Sequence, residues 1–314
     1  GYGALAMARV DRARQLAPKA TLALVQPGTE AKTRWDPAAA EIIAGRLHAL
    51  TRAAESRGVD LVVWPEAAYP YTLPHSARAF PPSYMRRDVL PHDVHGPVIV
   101  GLVMAKTSTD QTNSALVARG DRTLSAPYDK RHLLAFGEHV PFAEELPWMK
   151  KTFARGTGLV PGEESVALEA GKVRAGVLVC YEDNLPEAGR EAMQTRPNVL
   201  VNLTNDAWFA GSAEGELHLR LAVLRAIETR RDLARAVNLG PTGLVDASGR
   251  VRSRYDAPLP KALDVDVALL DTAPTPYTRF GDVPLALAIA AACAARAFAS
   301  RRAQGAKGAE IPVS

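Results

Sequence analysis

A glutamate, a lysine and a cysteine, each set at the end of an expected strand, carry the chemistry legible in this chain. Glu66 stands in Trp64-Pro65-Glu66, Lys130 in Tyr128-Asp129-Lys130, and Cys180 in Val179-Cys180-Tyr181-Glu182. The thiolate is the nucleophile, and a free cysteine is mostly protonated near neutral pH. Glu66 is therefore read as the base that takes the thiol proton. Lys130 would lower the thiol pKa and stabilise an oxyanion as a carbonyl carbon becomes tetrahedral. Glu138, in Phe136-Gly137-Glu138, would keep that lysine charged and aimed. Singly, each has a plainer reading: Cys180 a small core residue, Glu66 a solvated carboxylate, Lys130 and Glu138 a surface pair. Together at three strand exits, where α/β proteins gather their sites, they outweigh it.

The elements that position them follow from the flanking pattern. Val173 to Val179 is valine-rich and follows a turn at Ala170-Gly171-Lys172, so it reads as a buried strand with Cys180 at its tip. Pro186 can open the next helix, near Pro186 to Gln194. Residues 4 to 16 read as a short helix and Thr21 to Gln26 as a first strand. Asp36-Pro37 gives a helix start, Ile42, Ile43, Leu47 and Leu50 its stripe, and Gly58 its end. Val59 to Trp64 is then a second strand, which makes a βαβ opening and predicts a layered α/β domain. Val98 to Met104, Ser114 to Ala118 and Thr123 to Tyr128 read as strands, as do Val199 to Leu203, Leu233 to Val237 and Ala262 to Leu270. A long helix is expected from Glu214 to about Arg231 and a hairpin over Thr242 to Arg252. Two irregular stretches, Ala67 to Pro97 and His132 to Gly162, are long enough to expect a function. The expected division is a connector helix over 1–20, a catalytic domain over 21–272, and an apolar helix with a basic tail over 273–314.

Composition narrows the classes. A charge of +4 spread over 314 residues gives nucleic-acid binding little support. Two cysteines, Cys180 and Cys293, make no disulfide framework. His92 and His95, in a proline-rich loop without further ligands, give no metal site. Val283 to Ala295 is uninterrupted apolar sequence followed by Arg296, Arg301, Arg302 and Lys307. It reads either as a docked C-terminal helix or, extended through Ala297-Phe298-Ala299, as a membrane helix. In the second case the basic residues sit on the cytoplasmic side and the main domain outside. The chain begins at Gly1 without a signal peptide and reads as part of a longer polypeptide.

Glu66 in Trp-Pro-Glu, Lys130 in Tyr-Asp-Lys-Arg-His-Leu and Cys180 in Val-Cys-Tyr-Glu resemble the nitrilase, or carbon-nitrogen hydrolase, superfamily. The strings Tyr128 to Phe142, Asn205-Asp206-Ala207-Trp208-Phe209 and Pro276 to Asp282 are similar to its apolipoprotein N-acyltransferase branch. The resemblance runs from about Leu22 to the tail. It implies a four-layer αββα sandwich with a C-terminal apolar helix and a triad of Glu66, Lys130 and Cys180. Glu138 and Glu182 would support the triad, Tyr181 would offer a backbone N–H to the oxyanion, and Trp208 would line the site. The implied reaction moves an acyl chain from a phospholipid to the Cys180 thiol, and then to the free amine of a diacylglyceryl-cysteine lipoprotein, without a cofactor. The implied place is the bacterial inner membrane, catalytic domain on the periplasmic side, with transmembrane helices ahead of this stretch. Apolar loops around Tyr69 to Met85 and Val140 to Phe153 would cover the acyl chain or dip into the bilayer, or else pack over the core; Tyr69, Phe142 and Trp148 are the expected contacts. The alternatives are a soluble amidase using the same triad and water, a Cys–His pair with His132, His139 or His218, and an inactive binding module.

Overall fold

A computed structural model describes residues 1–85, 87–142, 145, 148 and 158–307, without the side chains of Tyr2, Trp35 and residues 301–307. Strands β1 (Lys19–Gln26), β2 (Leu61–Val63), β3 (Leu73–Pro74), β4 (Val98–Ala105), β5 (Gln111–Ala118), β6 (Tyr128–Asp129) and β13 (Lys261–Ala268) build one sheet. Its order is β13-β1-β2-β4-β5-β6, with β3 on β4. Strands β7 (Ala167–Ala170), β8 (Val173–Val179), β9 (Val199–Asn205), β10 (Leu233–Asn238), β11 (Thr242–Val245) and β12 (Val251–Tyr255) build the other, in the order β12-β11-β10-β9-β8-β7. Each sheet has a parallel centre, β1-β2-β4 and β8-β9-β10. Parallel neighbours need crossovers, and helices supply most of them. After α1 (Tyr2–Leu16), α2 (Ala40–Glu55) joins β1 to β2, α3 (Pro186–Ala192) joins β8 to β9, and α4 (Glu214–Thr229) joins β9 to β10.

The two-residue period of a strand assigns its side chains to two faces. In β1, Leu22 and Leu24 meet Val177, Val179 and Val201 of the second sheet, while Ala23 and Val25 meet Ile43 and Leu47 of α2. On the far side, Ala188, Leu219, Ala222 and Ala226 cover Leu178, Leu200 and Leu233. The result is the expected αββα sandwich, with the central core between the sheets.

Local departures have local causes. Ile42 is 66% exposed, because the buried stripe of α2 is Ile43, Leu47, Thr51 and Ala54, and a neighbouring position lies about 100° round the helix. Asp36 caps a short 3-10 turn, Pro37–Ala39, that precedes α2 rather than α2 itself. The strand expected over 123–128 shrinks to Tyr128–Asp129, with isolated bridges at Thr123 and Leu124, since Pro127 has no N–H for a ladder. The stretch after Glu66 is not loose: Tyr69, Leu73, Val89, Leu90 and Val94 complete the outer core beside α2. Of the second irregular stretch, Leu146, Met149 and Phe153 lie outside the described residues.

The N-terminal helix is docked. Val10, Ala13 and Ala17 pack on Ala247, Ala268 and Leu270, and Arg14 donates to both oxygens of buried Asp232 at 2.7 and 2.8 Å. At the other end, α5 (Pro276–Phe280) is capped by Thr275, whose hydroxyl also donates to the Glu228 carbonyl at 2.6 Å. From there α6 (Val283–Lys307) runs with no residue of Val283–Ser300 buried, a span long and apolar enough to cross a bilayer.

Candidate active site

Glu66 leaves the end of β2 through Trp64 and Pro65, across Gly101 of β4. A Cβ on Gly101 would lie 2.1 Å from the Pro65 carbonyl oxygen, so only glycine lets this turn rest on the sheet. The Glu66 carboxylate, 9% exposed, accepts a 2.7 Å hydrogen bond from Asn113 Nδ2 of β5. Lys130 follows β6 and is 1% exposed; its N–H donates to the Asn113 carbonyl at 2.8 Å. Its ammonium donates to Glu138 Oε1 at 2.9 Å and stands 3.6 Å from Glu66 Oε1. Glu138 is aimed by the Leu134 N–H, which donates to its second oxygen at 2.8 Å.

Cys180 arrives from the opposite sheet, at the tip of β8, and its thiol is close enough to Glu66 to draw that carboxyl downward against its burial. Its φ is +50°, a left-handed value unusual for a side chain with a Cβ. Glu182, fully buried, holds the turn that carries this strain. One of its oxygens accepts from the Val179 N–H at 2.7 Å and the Tyr128 hydroxyl at 2.9 Å. The other accepts from the N–H groups of Arg131 at 2.7 Å and His132 at 3.1 Å. One carboxylate thus locks the Cys180 turn to the Lys130 loop across the sheet interface.

Burial drives the protonation states. It pushes the Glu66 carboxyl upward, with Lys130 pulling back and Glu138 adding to the rise. It pushes the Cys180 thiol well above its ordinary value, with Glu66 reinforcing and Lys130 opposing. Burial alone would lower Lys130, but the acidic groups around it, Glu66 first, outweigh that and keep the ammonium above the usual lysine range. The resting sulfur is therefore a thiol, and it ionises only as a neighbouring base takes its proton.

A second buried polar cluster lies behind the same turn. Asp183 accepts from His218 Nε2 at 2.8 Å and from the Arg235 guanidinium, and His218 Nδ1 faces Asp206 Oδ1 at 3.0 Å. Asp206, Glu214 and His218 each bring a ligand atom within 4.8 Å of the others, a set that could hold a divalent cation. Both imidazole nitrogens, however, are already engaged by carboxylates. That engagement also disfavours a Cys–His pair using His218, and His132 is spent on Glu191 at 2.8 Å.

Of the residues expected from the sequence, Glu66, Lys130, Glu138, Cys180 and Glu182 come together. Tyr181, 37% exposed, adjoins the sulfur-bearing residue, and Trp208, 61% exposed, leaves the neighbouring strand β9. Phe142 and Trp148, beyond Glu138 in sequence, are also exposed. Tyr69 is a correction: it is fully buried in the outer core, with its hydroxyl on the Arg87 carbonyl, and offers no surface to a ligand. The sequence reading missed Asn113, Asp183 and Arg235. Thr-Asn-Ser inside the run of β5, and a lone arginine inside Leu-Ala-Arg-Ala-Val, were the available signals.

The sequence model of the carbon-nitrogen hydrolase family matches residues 21–277. The chain belongs to this family. Among curated relatives, the apolipoprotein N-acyltransferase of Geobacter metallireducens is 34% identical over 90% of this chain and 54% of its own length. That of Bradyrhizobium diazoefficiens is 34% identical over 87% and 52%, and that of Vibrio cholerae 31% identical over 97% and 60%. The chain spans about half the length of the curated relatives it matches. Solved carbon-nitrogen hydrolase relatives share the fold. A carbon-nitrogen hydrolase from Helicobacter pylori has a TM-score of 0.56 at 15% identity, covering 80% of this chain and 89% of that one. An amidase from Nesterenkonia sp. has 0.56 at 18%, covering 85% and 94%.

Proposed function

We propose that this chain is the catalytic domain of an apolipoprotein N-acyltransferase, with Glu66, Lys130 and Cys180 as its catalytic residues. The observation that carries the proposal is a cysteine brought from one sheet to the buried Glu66 and Lys130 side chains of the other, 3.6 Å apart, in a chain similar over most of its length to proteins of that name. In the first half-reaction Cys180 Sγ attacks a phospholipid ester carbonyl as Glu66 takes the thiol proton. The negative charge on the carbonyl oxygen is met by Lys130 and the Tyr181 N–H. Collapse expels the lysophospholipid alkoxide, which recovers the proton from Glu66 and leaves an acyl thioester. In the second half the lipoprotein amine attacks, Glu66 takes the amine proton, and the departing thiolate, paired with Lys130, is reprotonated.

Exposed Trp208, Phe142 and Trp148 would bound the path of the acyl chain. Helix α6 would anchor the domain on the periplasmic side of the inner membrane, the arginines at its end lying toward the cytoplasm. Intact-mass spectrometry after incubation with phosphatidylethanolamine in detergent tests the chemistry. An added acyl mass, released by hydroxylamine and absent from Cys180→Ser, is the expected result. No adduct, together with Cys180-dependent ammonia release from small amides, would replace this reading with the amidase.

A further inference from the structure

Cys180 and Trp208 leave adjacent strands, β8 and β9, and enter two short 3-10 turns, Cys180–Asn184 and Asp206–Phe209. One imidazole joins those turns. His218 is 3% exposed on α4; its Nε2 lies 2.8 Å from Asp183 Oδ1 in the first turn and its Nδ1 3.0 Å from Asp206 Oδ1 in the second. Glu214, on the same helix, stands 3.6 Å from Nδ1, the Cys180 carbonyl also faces the ring, and Arg235 of β10 neutralises Asp183 from behind. A neutral imidazole has one N–H and can donate to only one of the two aspartates. Donating to both requires the charged ring.

We propose that His218 is a positioning residue whose charged ring couples the strained Cys180 turn to the turn that presents Trp208 and Phe209. Charged, it fixes both turns to one helix; neutral, it releases one of them. The chemistry of the partners sets the direction. Burial opposes the charge, but Asp206 and Glu214 outweigh it and raise the ring above its ordinary value. The coupling is complete below about pH 6.5, the ordinary histidine value, and is lost as pH rises through the raised one. The mechanism above asks nothing of His218 as acid or base, so its effect reaches the sulfur through Asp183 and the backbone between.

The inference rests on Cys180 as the nucleophile, but the test needs neither phospholipid nor lipoprotein. Failure of the acyl-transfer reading therefore leaves it standing. The full chain carrying Cys293→Ser is alkylated with iodoacetamide across the neutral pH range, while the His218 ring is titrated by NMR. The wild-type alkylation profile should bend at the pH where that ring titrates. In His218→Gln the bend disappears and the neutral-pH rate falls by roughly tenfold, the scale of a small misplacement of a reactive group. In the isosteric Asp206→Asn the ring titrates at lower pH, and the bend moves with it. A wild-type rate and profile in His218→Gln would overturn the proposal. So would a bend that stays in place while the ring of Asp206→Asn shifts, and this variant decides the matter if His218→Gln does not fold.

Discussion

Glu66 is held where its charge costs stability. Two carboxylates, Glu66 and Glu138, share one buried ammonium, and burial raises the Glu66 carboxyl above its ordinary value. A group raised on folding contributes stability that is complete below its unfolded pKa, about 4.3 for glutamate, and lost as pH rises through the folded value. Above that folded value the ionised group is a net burden. Glu66→Gln should melt at or above the wild-type temperature, while thioester formation falls by about 10²–10⁴-fold, the usual worth of a positioned base. Both readings come from one preparation by calorimetry and mass spectrometry; a clear drop in melting temperature would contradict the charge argument. Glu66 and Cys180 were legible because each ends an apolar run, and Lys130 because it follows Tyr128-Asp129 at an expected strand end. Arg235 breaks one in its middle, which signals a buried partner without naming it. That partner, Asp183, is 52 residues away, a distance no local pattern spans.

At the level of elements, Glu182 gathers four donors from a strand end, a tyrosine and a loop. An orphaned buried donor costs about 1–3 kcal/mol, so Glu182→Gln, whose amide must turn its own N–H groups toward some of them, should lose about 2–5 kcal/mol. Tyr128→Phe removes one donor with its partner still served and should lose only about 1 kcal/mol. Urea unfolding of the two variants checks the ratio; equal losses would mean that the carboxylate is not the anchor. Gly101→Ala makes a separate point. Its methyl would meet the Pro65 carbonyl, so the turn that carries Glu66 must lift, with activity falling more than stability; kinetics and melting on one sample distinguish the two. The strands flanking the site were legible as short apolar runs, although a strand covered on both faces loses the alternation that would show which side faces inward. The stretch after Glu66 was legible as irregular but not as part of the outer core, because its buried residues follow no period.

For the whole molecule, the helix past Asp282 and the sandwich should separate cleanly. Truncation after Asp282 keeps α5 and its Thr275 cap and removes a span of which nothing is buried. The truncated protein should melt at the full-length temperature and no longer float with phosphatidylethanolamine liposomes. Flotation without the helix would shift membrane attachment to the exposed aromatic loops. The layers were legible from the βαβ opening, but the docking of one sheet on the other was not, since it depends on contacts between distant strands. That docking has a consequence for biosynthesis. Glu66 and Lys130 come from one sheet and Cys180 from the other, so neither half holds a working set alone. A nascent chain that has made only β1 to β6 holds a base and no sulfur, and β13 completes that sheet only after the second one has been made. The second sheet brings a thiol that stays protonated until it reaches its base. The site is thus assembled only when the two halves have closed in register.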